Sequence, residues 1–324
     1  MRKKDHQATQ HAMVTYKDIE AAHSRIDAYV EWTPVFVSES LNRLVGAELF
    51  FKCENLQKTG SFKFRGATNA IRCMDEETLA KGVATHSSGN HAAALARAAR
   101  EAGTRCFLVM PTNAPKTKLA AAQYYGGEVY HCKPTLEARE KALQEVLAKT
   151  GAVFVAPYNN EDVIAGQGTC GLEMMNQNPA LDMVLTPIGG GGLTGGVSVA
   201  VKELSPETRI IAVEPAGADD AFRSFKAGRI IPSENPTTIA DGLLTSLGEK
   251  TFPLIQQHVN DIVTVNDDEI VEAMGLIFQR LKLVVEPSAA VPLAAVLADK
   301  VDVDQCRVGI VLSGGNTDLD KLPW

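Results

Sequence analysis

One lysine in this chain stands between two aromatic rings. In Gly60-Ser61-Phe62-Lys63-Phe64-Arg65-Gly66 it sits at the start of a helical stretch. Burial in apolar surroundings penalises a charged ammonium, so such an amine loses its proton more easily and becomes a nucleophile. A lysine beside aromatics also snorkels at surfaces, so both readings stand at this point. A second feature is Gly189-Gly190-Gly191-Gly192-Leu193-Thr194-Gly195-Gly196, which follows an apolar strand and opens a helix. Glycines there let backbone N–H groups approach an anion, and the helix start adds a favourable dipole, so a phosphate is the expected guest. Gly190, Gly192 and Gly195 also satisfy GxGxxG. Glu214 closes the next strand, where a dinucleotide fold places its ribose-binding acid, so an NAD-dependent dehydrogenase is a rival reading.

The elements that must position these residues alternate between strand and helix. Apolar runs predict strands at 47–52, 83–86, 105–110, 128–132, 153–156, 183–188, 209–213 and 307–312. Helical periodicity predicts helices at 61–74, 90–102, 116–125, 136–149 and 268–281, the last with Asp267 as N-cap. Runs that are apolar throughout suit parallel strands buried on both faces. Repeated strand–helix units imply an α/β fold with parallel sheets and right-handed crossovers. A small mobile unit at 80–157 is expected to be inserted into a large domain made of 1–72 and 160–324.

Composition narrows the function. The 324 residues are 45% hydrophobic and 22% charged, which suits a globular chain and excludes disorder or coiled coil as the main class. The net charge of −7 gives no attraction for nucleic acid. No apolar stretch reaches the ~18 residues a membrane span needs. The first twelve residues are polar and read as a frayed leader, not a signal peptide. Six scattered cysteines without a CxxC pair predict reduced thiols and a cytoplasmic location.

Four stretches together resemble the fold-type II pyridoxal-phosphate enzymes, the family of serine racemase and threonine dehydratase. They are the lysine motif from Lys52 to Gly66, Ser87-Ser88-Gly89-Asn90-His91, Gly189 to Gly192, and Ser313-Gly314-Gly315-Asn316, in the family's order. The resemblance runs from about Tyr16 to Asp320. It implies a tryptophan synthase β-like fold, with two three-layer α/β domains and mainly parallel sheets. It also implies roles. Lys63 would hold pyridoxal 5'-phosphate as a Schiff base and later take the Cα proton, with Phe62 beside the cofactor. Gly189, Gly190, Gly191, Gly192 and Leu193 would hold the phosphate, Asn90 the ring hydroxyl oxygen, and Ser313 the pyridine nitrogen. Ser87, Ser88, Asn90 and His91 would bind the substrate carboxylate. A neutral Ser313 leaves a weaker electron sink, which favours loss of a β-hydroxyl over transamination.

Three activities share this machinery: serine or threonine dehydration, serine racemisation and 3-hydroxyaspartate dehydration. Ser88 resembles the racemase and hydroxyaspartate branch, where its hydroxyl would work on the cofactor face opposite Lys63. Arg139 matches the same branch, and a guanidinium suits a second substrate carboxylate. Taken by spacing alone, Arg139 is an ordinary exposed helix residue. Glu214, Ala218 and Asp220 resemble that branch's divalent site, suited to Mg²⁺ with Mn²⁺ or Ca²⁺ as substitutes. Acids at a helix start are the plainer reading of the same residues. Ala93 stands where animal serine racemases resemble a glutamine leading to a nucleotide site, so ATP control is not expected, although Lys282 and Tyr125 match. The expected reaction is β-elimination from 3-hydroxyaspartate, giving iminosuccinate, then oxaloacetate and ammonia. A homodimer is the expected assembly.

Overall fold

A computed structural model describes residues 13–87 and 89–324. The leader at 1–12 and Ser88 therefore lie outside the described residues. Ten strands are seen: β1 (Val35–Phe36), β2 (Glu48–Cys53), β3 (Val83–His86), β4 (Cys106–Pro111), β5 (Glu128–Cys132), β6 (Val153–Phe154), β7 (Met183–Pro187), β8 (Arg209–Pro215), β9 (Asp261–Val265) and β10 (Arg307–Leu312). They form a six-stranded sheet ordered β1-β2-β10-β7-β8-β9 and a four-stranded sheet ordered β5-β4-β3-β6. Every pairing is parallel except β1 with β2.

Alternation along the strands covers both faces of each sheet, giving two three-layer α/β units. In the large sheet, Phe51, Leu185 and Val213 face the helices Asp267–Leu276 and Pro287–Leu297, while Val184, Ala212 and Val311 face Glu161–Gln177 and Gly192–Leu204. In the small sheet, Val83 and Leu108 pack against Asn90–Glu101, while Ala84 and Val109 pack against Leu136–Thr150. The Lys63 helix (Lys63–Arg72) sends Phe64, Ala67 and Ile71 into the small sheet's core.

Two predicted helices differ at their ends. The Lys63 helix does not begin at Ser61, because Ser61 pairs with Gly314 as a β-bridge and only the chain beyond it is free to coil. The expected 268–281 helix is an α-helix over Asp267–Leu276 followed by a π turn over Ile277–Leu281. Its N-cap is Asn266, not Asp267. The Asn266 side chain accepts from Glu269 N–H, and Glu269 reaches back to Asn266 N–H, which satisfies two otherwise unpaired donors.

Glu161–Gln177 is a central helix that periodicity did not predict. It carries Gly166, Gly168 and Gly171. Glycine disfavours helix by about 1 kcal/mol, yet here it permits close approach. A Cβ on Gly166 would lie 2.6 Å from Gly66 Cα in the Lys63 helix. A Cβ on Gly196, in Gly192–Leu204, would lie 2.6 Å from the Gly168 nitrogen.

Candidate active site

The carboxyl ends of the two sheets face one pocket, the usual ligand position in open parallel sheets. His86 and Ser87 enter it at the end of β3, the glycine run enters after β7, and Ser313 enters after β10. The cavity is about 150 Å³, the size of a cavity that takes a benzene ring.

Lys63 stands at its floor. The residue is half-buried, but its amine is enclosed: Nζ donates to the Pro157 carbonyl at 2.7 Å and lies 5.0 Å from the centre of the Phe62 ring. Burial brings its pKa down to about 8, against a smaller opposing pull from Glu286. Phe62 is held by its N–H donating to the Ser313 carbonyl at 3.1 Å, which joins the lysine turn to the end of β10.

The helix behind Lys63 is held from the other side by charge. Arg65 Nε donates to Glu54 Oε2 at 2.7 Å and Nη1 to Glu173 Oε1 at 2.6 Å. Lys52 Nζ donates to Glu173 Oε2 at 2.6 Å. All four residues are buried. Arg65 holds Glu54 below the usual carboxylate range despite the opposing effect of burial.

The glycine run is a cradle that side chains would fill. Gly191 takes φ +83° and caps Gly192–Leu204. A Cβ on Gly190 would overlap the Tyr158 ring, and one on Gly189 would lie 2.9 Å from Leu243 Cα. The helix's first amides have no intrahelical acceptors and point outward, as a bound phosphate requires. Thr251 fixes the loop from behind, its Oγ1 donating to the Gly190 carbonyl at 2.8 Å.

Opposite the cradle, Asn90 Nδ2 donates to Glu286 Oε1 at 2.6 Å. His91 is buried and pairs through Nε2 with the Val155 carbonyl at 3.2 Å, leaving Nδ1 without a partner. Burial, helped by the charge on Lys63, lowers its pKa to about 3, so the ring is neutral and Nε2 is the donor. Arg139 reaches the pocket from Leu136–Thr150. Among the described residues no carboxylate pairs with it, and its Nε is enclosed without an acceptor. Its charge and burial together lower the pKa of the neighbouring His86.

Glu214, Ala218 and Asp220 lie outside this pocket, near the end of β8 and in the turn and helix start that follow it. Both Glu214 oxygens are engaged by backbone, accepting from Ala221 N–H at 2.9 Å and Phe222 N–H at 2.8 Å. Burial pushes Glu214 up to about 9 and Asp220 up to about 6. Asp220 Oδ1 is buried and unpartnered. Among the described residues no three His, Cys, Asp or Glu side chains converge as a metal cluster, so any ion here would need the Ala218 carbonyl and water as further ligands.

Sequence reasoning did not find Lys118, Tyr158, Asp241, Thr245 or Glu286, all of which line the pocket. They come from loops and helix starts with no local signal. Of these only Tyr158, shortly after β6, stands near a strand end; Asp241 opens a 3-10 turn and Glu286 caps Pro287–Leu297.

The geometry agrees with what the chain is similar to. It is 52% identical over 310 residues to the beta-hydroxyaspartate dehydratase of Paracoccus denitrificans (strain Pd 1222), covering 96% of this chain and 98% of that one. It is 49% identical over 318 residues to the serine racemase of Dictyostelium discoideum, covering 96% and 97%. The structure of maize serine racemase superposes with a TM-score of 0.93 at 44% identity, covering 95% of each chain. A family profile described as pyridoxal-phosphate dependent enzyme matches residues 26–314. This overturns the dinucleotide reading of the glycine run. The chain belongs to the pyridoxal-phosphate dependent enzymes of fold type II.

Proposed function

We propose that this protein is a 3-hydroxyaspartate dehydratase, an ammonia-lyase that forms iminosuccinate, which water converts to oxaloacetate and ammonia. The observation that carries the reading is Arg139, a cation at the pocket with no carboxylate of its own. A substrate with a second carboxylate supplies the missing partner, and threonine, which ends in a methyl group, does not. Bound pyridoxal phosphate supplies the electron sink for the Cα carbanion. Lys63 holds the cofactor and, once free, takes the Cα proton on Nζ; its lowered pKa lets that amine shed its own proton far more readily near neutral pH than an ordinary lysine does. Gly189 to Leu193 bind the phosphate, Asn90 the ring oxygen and Ser313 the pyridine nitrogen. Ser87 and the backbone N–H of His91 bind the α-carboxylate, and Ser88 is the second acid–base group. The unit at 80–157 closes on the pocket; Ser87, His91 and Arg139 reach the site from it, while the cradle belongs to the large sheet.

Glu214, Ala218 and Asp220 bind Mg²⁺, or Mn²⁺ or Ca²⁺ in its place; the unpartnered Asp220 oxygen supports this. The reading includes a cytoplasmic homodimer. All six cysteines are free, and no helix among the described residues is long and apolar enough to cross a membrane. Phe278, Val284, Leu319 and Trp324 form an exposed apolar face suited to a second copy. Serine racemase or L-serine/L-threonine dehydratase is the second reading, supported by the nearly equal likeness to serine racemases.

The test is Arg139→Ala. A charge-assisted pair is worth about 1.5–3 kcal/mol, so kcat/KM for 3-hydroxyaspartate should fall about 100-fold. Activity on L-serine or L-threonine should change little. Equal losses on both substrate classes would reject the distal-carboxylate role and favour the second reading.

A further inference from the structure

Lys118 is a buried cation that none of these roles uses. It lies on Lys116–Tyr124 of the small unit and is only 4% exposed. Its Nζ donates to Asp241 Oδ2 at 2.7 Å and lies 3.0 Å from Glu286 Oε2, both carried by the large unit. Its stem passes beneath the carboxylate loop, where a Cβ on Gly89 would overlap Lys118 Cδ. The other Glu286 oxygen accepts from Asn90 Nδ2 at 2.6 Å.

The polarity of Asn90 is set from both sides. Asn316 Nδ2 donates to the Thr59 carbonyl at 2.8 Å and to Asn90 Oδ1 at 3.0 Å. A backbone carbonyl only accepts, so Asn316 must turn its NH₂ this way, and Asn90 must answer with its oxygen. The Asn90 NH₂ then faces Glu286, which as a carboxylate only accepts. One Asn90 N–H remains, on a residue that lines the pocket.

We propose that Lys118 is a positioning residue that keeps Glu286 a carboxylate and thereby fixes Asn90 as a hydrogen-bond donor to the cofactor's ring oxygen. The charged groups facing Glu286 are Lys118, Asp241 and Lys63. Burial pushes the Glu286 carboxyl up, and Lys118 is the largest pull in the other direction. Without Lys118 the carboxyl takes a proton, gains an O–H and competes for the same Asn90 amide. Because Lys118 and its partners belong to different units, the pairing forms only when the two are together. The proposal rests on the reading of Asn90 as a cofactor contact.

The test is the visible absorption of the protein loaded with pyridoxal phosphate, followed from about pH 6 to pH 9. The wild-type band should hold its position across that range. In Lys118→Met it should shift with pH in a single one-proton step. In Lys118→Met/Glu286→Gln the titrating group is gone and the band should again be independent of pH. The double variant leaves no stranded charge on Glu286. Lys118→Gln, which offers hydrogen bonds without charge, should reproduce the step if Lys118→Met does not fold. A pH-independent band in both single variants, or a step that survives in the double variant, overturns the role of Lys118. A wild-type protein with no visible band overturns the cofactor reading itself, and the proposal with it.

Discussion

Behind Lys63, two buried cations, Lys52 and Arg65, meet two buried carboxylates, Glu54 and Glu173, at 2.6 to 2.7 Å. In front of it, among the described residues, Arg139 has no counter-ion, His91 has an unpartnered ring nitrogen, and farther off Asp220 has an unpartnered oxygen. Both regions take polar groups out of water. The first repays that desolvation within the chain, so it reads as a frame. The second leaves its groups unpaired and needs a guest to complete it.

The largest expected effect belongs to the front. Lys63→Ala should remove both the visible absorption of the loaded enzyme and measurable ammonia release, while far-UV circular dichroism stays that of the wild type. A variant that keeps turnover would mean that the unpaired region is not the reactive one.

Glu173→Gln tests the frame. It strands Lys52 and half of the Arg65 fork, and breaking a buried pair costs about 3–5 kcal/mol. Urea unfolding should show that loss. If its midpoint matches that of the wild type, the paired cluster carries no structural weight and the contrast fails.

A smaller effect is expected where the missing partner is an ion. Mg²⁺ at 100 times its Kd should stabilise the folded protein by about 2.7 kcal/mol, and chelator should remove the gain. Asp220→Asn should abolish the response in thermal melts. An unchanged melting temperature with and without chelator would reduce Glu214 and Asp220 to an acidic helix start.

A further effect, confined to acid pH, concerns His91. Its pKa falls from 6.5 to about 3 on folding, so between those values the unfolded chain holds the extra proton. Stability should therefore rise with pH in that window and be lost as pH falls through it, by no more than about 1.4 kcal/mol per pH unit. His91→Phe should flatten this acid limb of the melting curve. The same slope in both proteins would show that the buried ring is not what titrates.

Much of this was legible in the sequence, for identifiable reasons. Strands β4 and β10 announced themselves because both of their faces are buried and their apolar runs, 106–110 and 308–312, are unbroken. Lys63, the glycine run and Ser313 could be found because each lies beside a strand end or helix start. The central helix Glu161–Gln177 was missed because its glycines serve contacts with other helices, which a local window does not contain. Lys118 and Glu286 were missed for a related reason. Their pairing joins positions far apart in the chain, and neither segment carries a motif that calls for the other.

The glycines of the central helix bear on distance as well as on packing. The helix that starts at Lys63 and the helix that starts at the phosphate cradle lean on the same support, one through Gly66 and Gly166, the other through Gly168 and Gly196. The span between amine and cradle is therefore gauged by the thickness of a single helix stripped of its methyl groups. On the proposed reading a cofactor of fixed length bridges that span, so one added carbon at either seam would lengthen the gauge and put its two ends out of step.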